Sequence, residues 1–239
     1  MKRLAPAVIA GALIVLWGLF SSRLPALPVR AGIMLSSALV LSLVAVLVWG
    51  LLPLHVLGRR LPLLTAAALP LAILFAWLGW VPLANVAKIV AAAALGIWIG
   101  EELEKLSWIV IVAVVSAAVD IVSVAAGPTK AILDQGPVVV GYFTIAVTWA
   151  GYTYSEAYTG LGISDVIFLG LYLGAARRFG LRVGWSAVGM VVSFLATIAA
   201  AMWWTALPAL PLLSVAFLAV NGDLLWKSLR RGGGPAGAV

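Results

Sequence analysis

The stretch SWIVIVAVVSAAVDIVSVAA, residues 107–126, decides the fold class of this chain. It has the length of a transmembrane helix, which needs about 20 mostly apolar residues, and its one charged side chain is Asp120. Comparable apolar stretches recur along the whole chain. The sequence therefore predicts an all-α polytopic membrane protein, a bundle of about eight transmembrane helices, at residues 4–20, 31–57, 61–80, 83–100, 107–126, 161–176, 183–206 and 207–226.

The composition excludes several classes of protein. Of the 239 residues, 64% are hydrophobic and 10% charged, whereas soluble domains have roughly half and a quarter. The net charge is +7, but the basic residues lie in pairs and triplets between apolar stretches, so no nucleic-acid partner is expected. The chain has no cysteine, and His55 is its only histidine. This argues against thiol chemistry and against the paired histidines of a membrane zinc protease.

The basic residues also predict the orientation in the membrane. With eight spans both termini share one side, and Arg23, Arg30, Lys88 and Lys130 fall on the other, which leaves eleven of the 15 basic residues beside the termini. Lys and Arg are enriched in cytoplasmic loops. We therefore expect a multi-pass protein of the cell membrane with both termini in the cytoplasm and the loop 127–160 outside.

The ends of the chain carry two further expectations. Lys2 and Arg3 precede the first apolar stretch, as in a signal peptide, but no small-residue cleavage site follows cleanly, so we predict a retained span. Residues 1–106 are expected to form a scaffold of transmembrane helices and residues 107–226 a second transmembrane half. Residues 227–239 are expected to form a basic, glycine-rich cytoplasmic tail without packing residues.

Residues 138–150 allow more than one interpretation. The stretch is apolar but shorter than a span, and counting it as a ninth crossing would reverse the charge bias. Its sequence VVVGYFTI, residues 138–145, is rich in β-branched and aromatic side chains, as in an extended strand. We expect a re-entrant or interfacial hairpin here.

Two acidic residues lie where a bilayer disfavours them. Asp120 has apolar neighbours on both sides, and Asp165 precedes the apolar run VIFLGL, residues 166–171. Keeping a carboxylate at such a depth costs a few kcal/mol, so a function is expected. Asp223 has Lys227 four residues later and is interpreted as half of a structural ion pair on one helix face.

The two acids are predicted to lie at similar depths on antiparallel neighbouring helices. Like charges that close cannot both ionise, so the pair would share one proton. The ionised member can take a proton from water while the neutral member donates one to a substrate carbonyl. This is the chemistry of aspartic peptide hydrolysis.

Three motifs carry a family resemblance. The first is VDIVSV, residues 119–124, followed by GPTK at 127–130, with Val119 where the family has Tyr. The second is GISDVIF, residues 162–168, in which Gly162 and Asp165 match a Gly-x-Gly-Asp motif and Ser164 replaces its second Gly. The third is Pro208-Ala209-Leu210. Together they resemble the presenilin and signal peptide peptidase family of intramembrane aspartyl proteases.

The resemblance implies a presenilin-like bundle, catalytic Asp120 and Asp165, and transmembrane peptides or proteins as substrates. It implies that residues 107–226 are the catalytic half and that Gly162, Ser164 and the Pro208-Ala209-Leu210 motif support the site. Pro208 and Pro211 lack backbone donors, so we expect nearby carbonyls to stay free beside the carboxylates. The resemblance also implies a substrate that unwinds and pairs as a strand, for which residues 138–148 are suited. No metal or organic cofactor is implied, and the oligomeric state stays open.

Two other functions fit a pair of membrane-embedded acids. A proton- or cation-coupled transporter uses such residues to relay protons or bind sodium, although matching inverted halves are not visible in this sequence. A non-catalytic membrane scaffold would keep its function without Asp120.

Overall fold

The computed structural model describes residues 4–127, 137–203 and 207–230. Two predicted features lie outside these residues, namely the turn at 128–130 and the glycine-rich part of the tail. The described chain is mostly helical, which confirms an all-α helical bundle. Its helices are α1 (Ala5–Phe20), α2 (Val29–Leu51), α3 (Leu61–Trp77), α4 (Val81–Glu102), α5 (Leu106–Ala126), α6 (Pro137–Phe143), α7 (Ile163–Arg178), α8 (Val183–Ala201) and α9 (Leu210–Arg230).

Each predicted apolar stretch contains one long helix, but several ends were misplaced. The stretch 31–57 changes at Leu51 from α2 to a 3-10 segment, Leu52–Arg60, because Pro53 cannot donate a helical hydrogen bond. Helix α7 begins at Ile163 because Gly162 belongs to a strand. Asp165 therefore lies in the first turn of α7.

Six segments within the described residues are long and apolar enough to cross a membrane. One of them, Val29–Trp77, contains both α2 and α3. Helix α7 has 16 residues and stays below the usual spanning length. The structure is therefore compatible with a membrane protein.

The loop between α5 and α7 contains a β-hairpin, as expected, but the strand begins later than its sequence indicated. Residues 138–143 belong to the short helix α6. Strand β1 (Thr144–Thr148) then pairs antiparallel with β2 (Tyr158–Gly162), with Ala146 opposite Gly160. Residues 138–150 consequently do not form a ninth spanning helix.

Helices α4 and α7 pack with their backbones almost in contact. A Cβ on Gly96 or Gly100 of α4 would overlap the carbonyl oxygen of Ile167 or Leu171 of α7. Gly170, on the facing helix, would bring a Cβ to 2.8 Å from the carbonyl oxygen of Ala93. Small residues four apart allow this approach, as they do between helices in lipid. The packing holds α7, and with it Asp165, against the N-terminal half.

The predicted ion pair of Asp223 with Lys227 is wrong. Asp223 instead binds both terminal nitrogens of Arg182, just before α8, at 2.8 Å each. A guanidinium can donate to both oxygens of a carboxylate at once, whereas a lysine ammonium acts as a point charge. Asp223 therefore binds Arg182 and not Lys227. The pair is exposed and joins the ends of α8 and α9.

Candidate active site

A cavity of about 590 Å³ lies among the helices that carry the three motifs. Its walls come from α2, α5, the hairpin, the start of α7, the end of α8 and the segment before α9. Both Asp120 and Asp165 line it. The expected convergence of the two acids on one site is therefore observed.

Asp120 is held by the segment that precedes α9. The amide of Leu210 donates a hydrogen bond to Asp120 Oδ2 at 3.0 Å. Leu210 is the first residue of α9, where backbone amides have no helical partner, so a carboxylate is a suitable acceptor. The motif 208–210 thus orients one of the two acids.

The carbonyls that Pro208 and Pro211 are expected to leave free beside the carboxylates stay a prediction. The observed contacts of the motif to Asp120 are made by backbone amides: that of Leu210 donates at 3.0 Å, and that of Ala209 also bonds to the carboxylate. Pro208 and Ala209 line the cavity.

Asp165 is held by its own helix start. The amide of Gly162 donates to Asp165 Oδ2 at 3.2 Å, so the carboxylate caps the first turn of α7. This contact alone would explain an acid at this position. Asp120, the second carboxylate of the cavity, in turn accepts from the first amide of α9, which belongs to a different part of the chain. Gly162 and Ser164 also line the cavity, so every predicted site residue lies in it or bonds to an acid.

The outer edge of β1 is occupied by side chains of α1 and α4. Lys88 Nζ donates to the carbonyl of Thr144 at 2.9 Å, the amide of Asn85 to the carbonyl of Ala146 at 2.8 Å, and Trp17 Nε1 to the carbonyl of Thr148 at 3.0 Å. Asn85 Oδ1 also accepts from the Ala146 amide at 3.3 Å. No further strand can pair along this edge.

The free edge of the hairpin belongs to β2. Backbone groups in an antiparallel strand alternate between its two edges. Because those of Ala146 point to Asn85, the pairs Ile145 with Leu161 and Val147 with Thr159 carry the ladder, and the amide and carbonyl of Gly160 point away from β1. Gly160 lines the cavity. Within the part of the chain that the structure describes, nothing pairs with Gly160 on this edge, which lies beside the two acids.

A buried hydroxyl network joins the three helices of the motifs. Tyr172 on α7 shares hydrogen bonds with Ser214 on α9 at 2.8 Å and with Ser116 on α5 at 3.4 Å. Its ring stacks on Phe217 with centroids 4.6 Å apart. Ser116 is one turn from Asp120, and Tyr172 two turns from Asp165. The network fixes the helices below the acids.

The contribution of α2 was missed by the sequence interpretation, which assigned residues 1–106 to a scaffold. Ile33, Ser37 and Leu41 line the cavity. Adjacent serines at 36 and 37 inside an apolar span were the available signal, because polar residues in such a span mark a helix contact or a cavity.

Among the described residues, no group of three His, Cys, Asp or Glu side chains is arranged to hold a metal ion. No family model, no curated protein and no solved structure matches this chain.

Proposed function

We propose that this chain is an intramembrane aspartyl protease, an endopeptidase that hydrolyses peptide bonds within transmembrane segments of its substrates. The observation that carries the proposal is that Asp120 and Asp165, from separate helices, line one cavity. The three sequence motifs, which resemble those of presenilins and signal peptide peptidases, surround the same cavity.

The mechanism follows from two carboxyl groups that hold one proton between them. The ionised carboxylate removes a proton from water, and the water oxygen attacks the substrate carbonyl carbon. The neutral carboxyl group donates its proton to the carbonyl oxygen, which gives a gem-diol. Collapse of the diol breaks the C–N bond, and a proton passes to the leaving nitrogen. The Leu210 amide holds Asp120 in place for these transfers.

The substrate must be unwound before it is cut, because a helical backbone shields its carbonyl carbons. The free edge of β2 supports binding of an extended segment by strand addition, in which backbone hydrogen bonds give affinity for many sequences. The pairing strand is β2 rather than β1, since Asn85, Lys88 and Trp17 occupy the outer edge of β1. An unwound segment on Gly160 would lie in the cavity that holds both acids.

We further propose that all eight long helices cross the membrane, in a presenilin-like arrangement, with both termini in the cytoplasm. The charge bias of the loops supports this orientation. In this orientation, which resembles that of signal peptide peptidases, the substrates are single spans with cytoplasmic N-termini.

The test is cleavage of a fluorescent single-span substrate of this orientation by purified protein in liposomes. Wild type is expected to cut it within the span, and Asp120→Asn and Asp165→Asn are each expected to lower kcat by about a hundredfold or more. Asp223→Asn is the matched control, because it removes a carboxylate from an exposed ion pair. A wild type that cuts no substrate in a broad panel, or an active Asp variant, would contradict the proposal.

The same liposomes distinguish the transporter hypothesis. A transporter would move a labelled cation or protons across the membrane, and a transition-state analogue of aspartic proteases would leave that flux unchanged. The protease proposal expects no flux dependent on Asp120, and inhibition of cleavage by the analogue.

A further inference from the structure

Ser37, in the α2 wall of the cavity, has a buried hydroxyl group without a hydrogen-bond partner among the described residues. It lies on α2 between Ile33 and Leu41, and the three residues, spaced one helical turn apart, form the α2 wall. The side chain of Ser37 is 0% exposed. Within the described part of the chain, its Oγ has no hydrogen-bond partner.

The neighbouring serines of α2 show that this is not a general property of the helix. Ser36 Oγ accepts a hydrogen bond from the Ala150 amide at 3.0 Å, and Ser42 Oγ donates to the carbonyl of Ala38, one turn earlier, at 2.7 Å. Ser37 does not make the corresponding bond within its own helix. Both its donor and its acceptor capacity therefore remain available to a group in the cavity.

Two other hydroxyl groups of the cavity are committed to the protein. Thr144 donates to the carbonyl of Val140 and Thr197 to that of Ser193, each at 3.0 Å. A buried hydroxyl without a partner is unfavourable, and an apolar alanine at Ser37 would avoid the cost. A ligand that bonds to the hydroxyl removes this cost when it binds.

An extended peptide in the cavity would have backbone groups that lack a hydrogen-bond partner. A strand has hydrogen-bonding groups along two edges, and pairing with β2 satisfies only one. The amides and carbonyls of its other edge remain in a largely apolar, lipid-surrounded space, where each unpaired group is costly. A hydroxyl on another wall of the cavity can bind one of them.

We propose that Ser37 is a substrate-binding residue whose hydroxyl bonds to a backbone amide or carbonyl on the substrate edge that does not face β2. The inference rests on the proposed function, since it takes an unwound peptide as the ligand. It places a substrate contact on α2, outside the three motifs. Because the contact is to backbone, it adds affinity at one position without selecting a side chain.

The first measurement is binding of a fluorescent single-span peptide with a Gly- and Ala-rich centre, in an Asp165→Asn background, so that it does not depend on cleavage. Ser37→Ala is expected to weaken binding about threefold to tenfold, the effect of one neutral hydrogen bond. Ser42→Ala, on the same helix and outside the cavity, is expected to bind as the parent does. Ser37→Thr, which retains the hydroxyl, is expected to restore binding.

A peptide series with single ester-for-amide replacements in its centre identifies the backbone group. An ester removes the amide donor and weakens the neighbouring carbonyl as an acceptor. At one position the ester should weaken binding to the parent protein but not to Ser37→Ala. Thermal unfolding gives an independent readout. If the Ser37 hydroxyl bonds only to a ligand, its removal costs the free protein no hydrogen bond, and Ser37→Ala should unfold at the same temperature as the parent or a higher one.

The inference is overturned if Ser37→Ala binds like Ser42→Ala, if every ester has the same effect on both proteins, or if Ser37→Ala lowers the unfolding temperature. Failure of the proposed function has a different signature. In that case wild type cuts none of the peptides, whether or not their binding depends on Ser37.

Discussion

The side-chain amide of Asn85 pairs with both backbone groups of Ala146, as a neighbouring strand would. It donates to the Ala146 carbonyl at 2.8 Å and accepts from the Ala146 amide at 3.3 Å. Through this one residue, α4 takes the place of a third strand on β1. The arrangement leaves β2 as the edge that faces the cavity.

Asn85→Ala is therefore expected to reduce cleavage. It frees the outer edge of β1, so the substrate can pair there instead of with β2 beside the acids. The change leaves the Ala146 amide and carbonyl unsatisfied, which should lower the free energy of unfolding by about 1–3 kcal/mol. Substrate cleavage and thermal unfolding in the same detergent measure the two effects.

Lys88 and Trp17 still hold β1 in Asn85→Ala, so the protein should fold. Tyr154 also contacts the hairpin in this variant, because its phenol keeps the hydrogen bond to Thr148 when the one to Asn85 is lost. Burial raises the pKa of Tyr154 to about 12, which keeps it neutral. Unchanged cleavage in Asn85→Ala would contradict the role given to this edge.

A second prediction concerns the free edge of β2. Gly160→Pro removes the backbone amide that points away from β1 and leaves the β1 ladder untouched. We expect a loss of cleavage of at least about tenfold, with little change in the unfolding temperature.

Gly160→Ala is the matched control for this experiment. A Cβ at this position would meet the Thr144 methyl group at 3.4 Å, an ordinary contact, and the amide is retained. Cleavage should therefore stay near the wild-type rate. If Gly160→Pro cleaves as well as Gly160→Ala, the substrate does not pair with this edge.

A third prediction concerns the α4 and α7 contact. Gly96→Ala puts a Cβ against the carbonyl oxygen of Ile167, so the two backbones must separate. Overpacking of this kind costs about 1–3 kcal/mol of unfolding free energy. Because α7 carries Asp165, cleavage should fall as well.

Gly184→Ala is the control for helix propensity, because a Cβ on Gly184 meets nothing within 4 Å among the described residues. It should unfold at or above the wild-type temperature. Equal unfolding temperatures for Gly96→Ala and Gly184→Ala would show that the backbones do not touch as described.

A fourth prediction concerns the hydroxyl network below the acids. Tyr172→Phe keeps the ring stacked on Phe217 but leaves Ser116 and Ser214 without their shared partner. The expected loss of unfolding free energy is about 1 kcal/mol, and kcat should decrease with little change in KM because the helices of the two acids are less well aligned.

Tyr142→Phe removes a hydroxyl from an exposed tyrosine and is expected to leave stability and kcat unchanged. A kcat for Tyr172→Phe equal to that of Tyr142→Phe would mean that the network serves stability alone.

The sequence was sufficient for the features that depend on local apolarity. Every long helix overlaps a predicted apolar stretch over most of its length, because a run of such residues is long enough to be helical whatever its neighbours are. It also sufficed to single out Asp120 and Asp165, because an acid in an apolar run is conspicuous without any knowledge of the fold. Helix ends were less accurate, since prolines and the hairpin altered them.

Only the tertiary structure decided which groups meet. Asp223 pairs with Arg182 rather than with Lys227, and Leu210 presents an amide to Asp120. These contacts join residues 41 and 90 positions apart, and no local pattern encodes their geometry. Apolarity is a property of each segment and can therefore be recognised in the sequence. The cavity exists only where several segments pack together, and so do the strand edge and the Ser37 hydroxyl that are unpaired among the described residues.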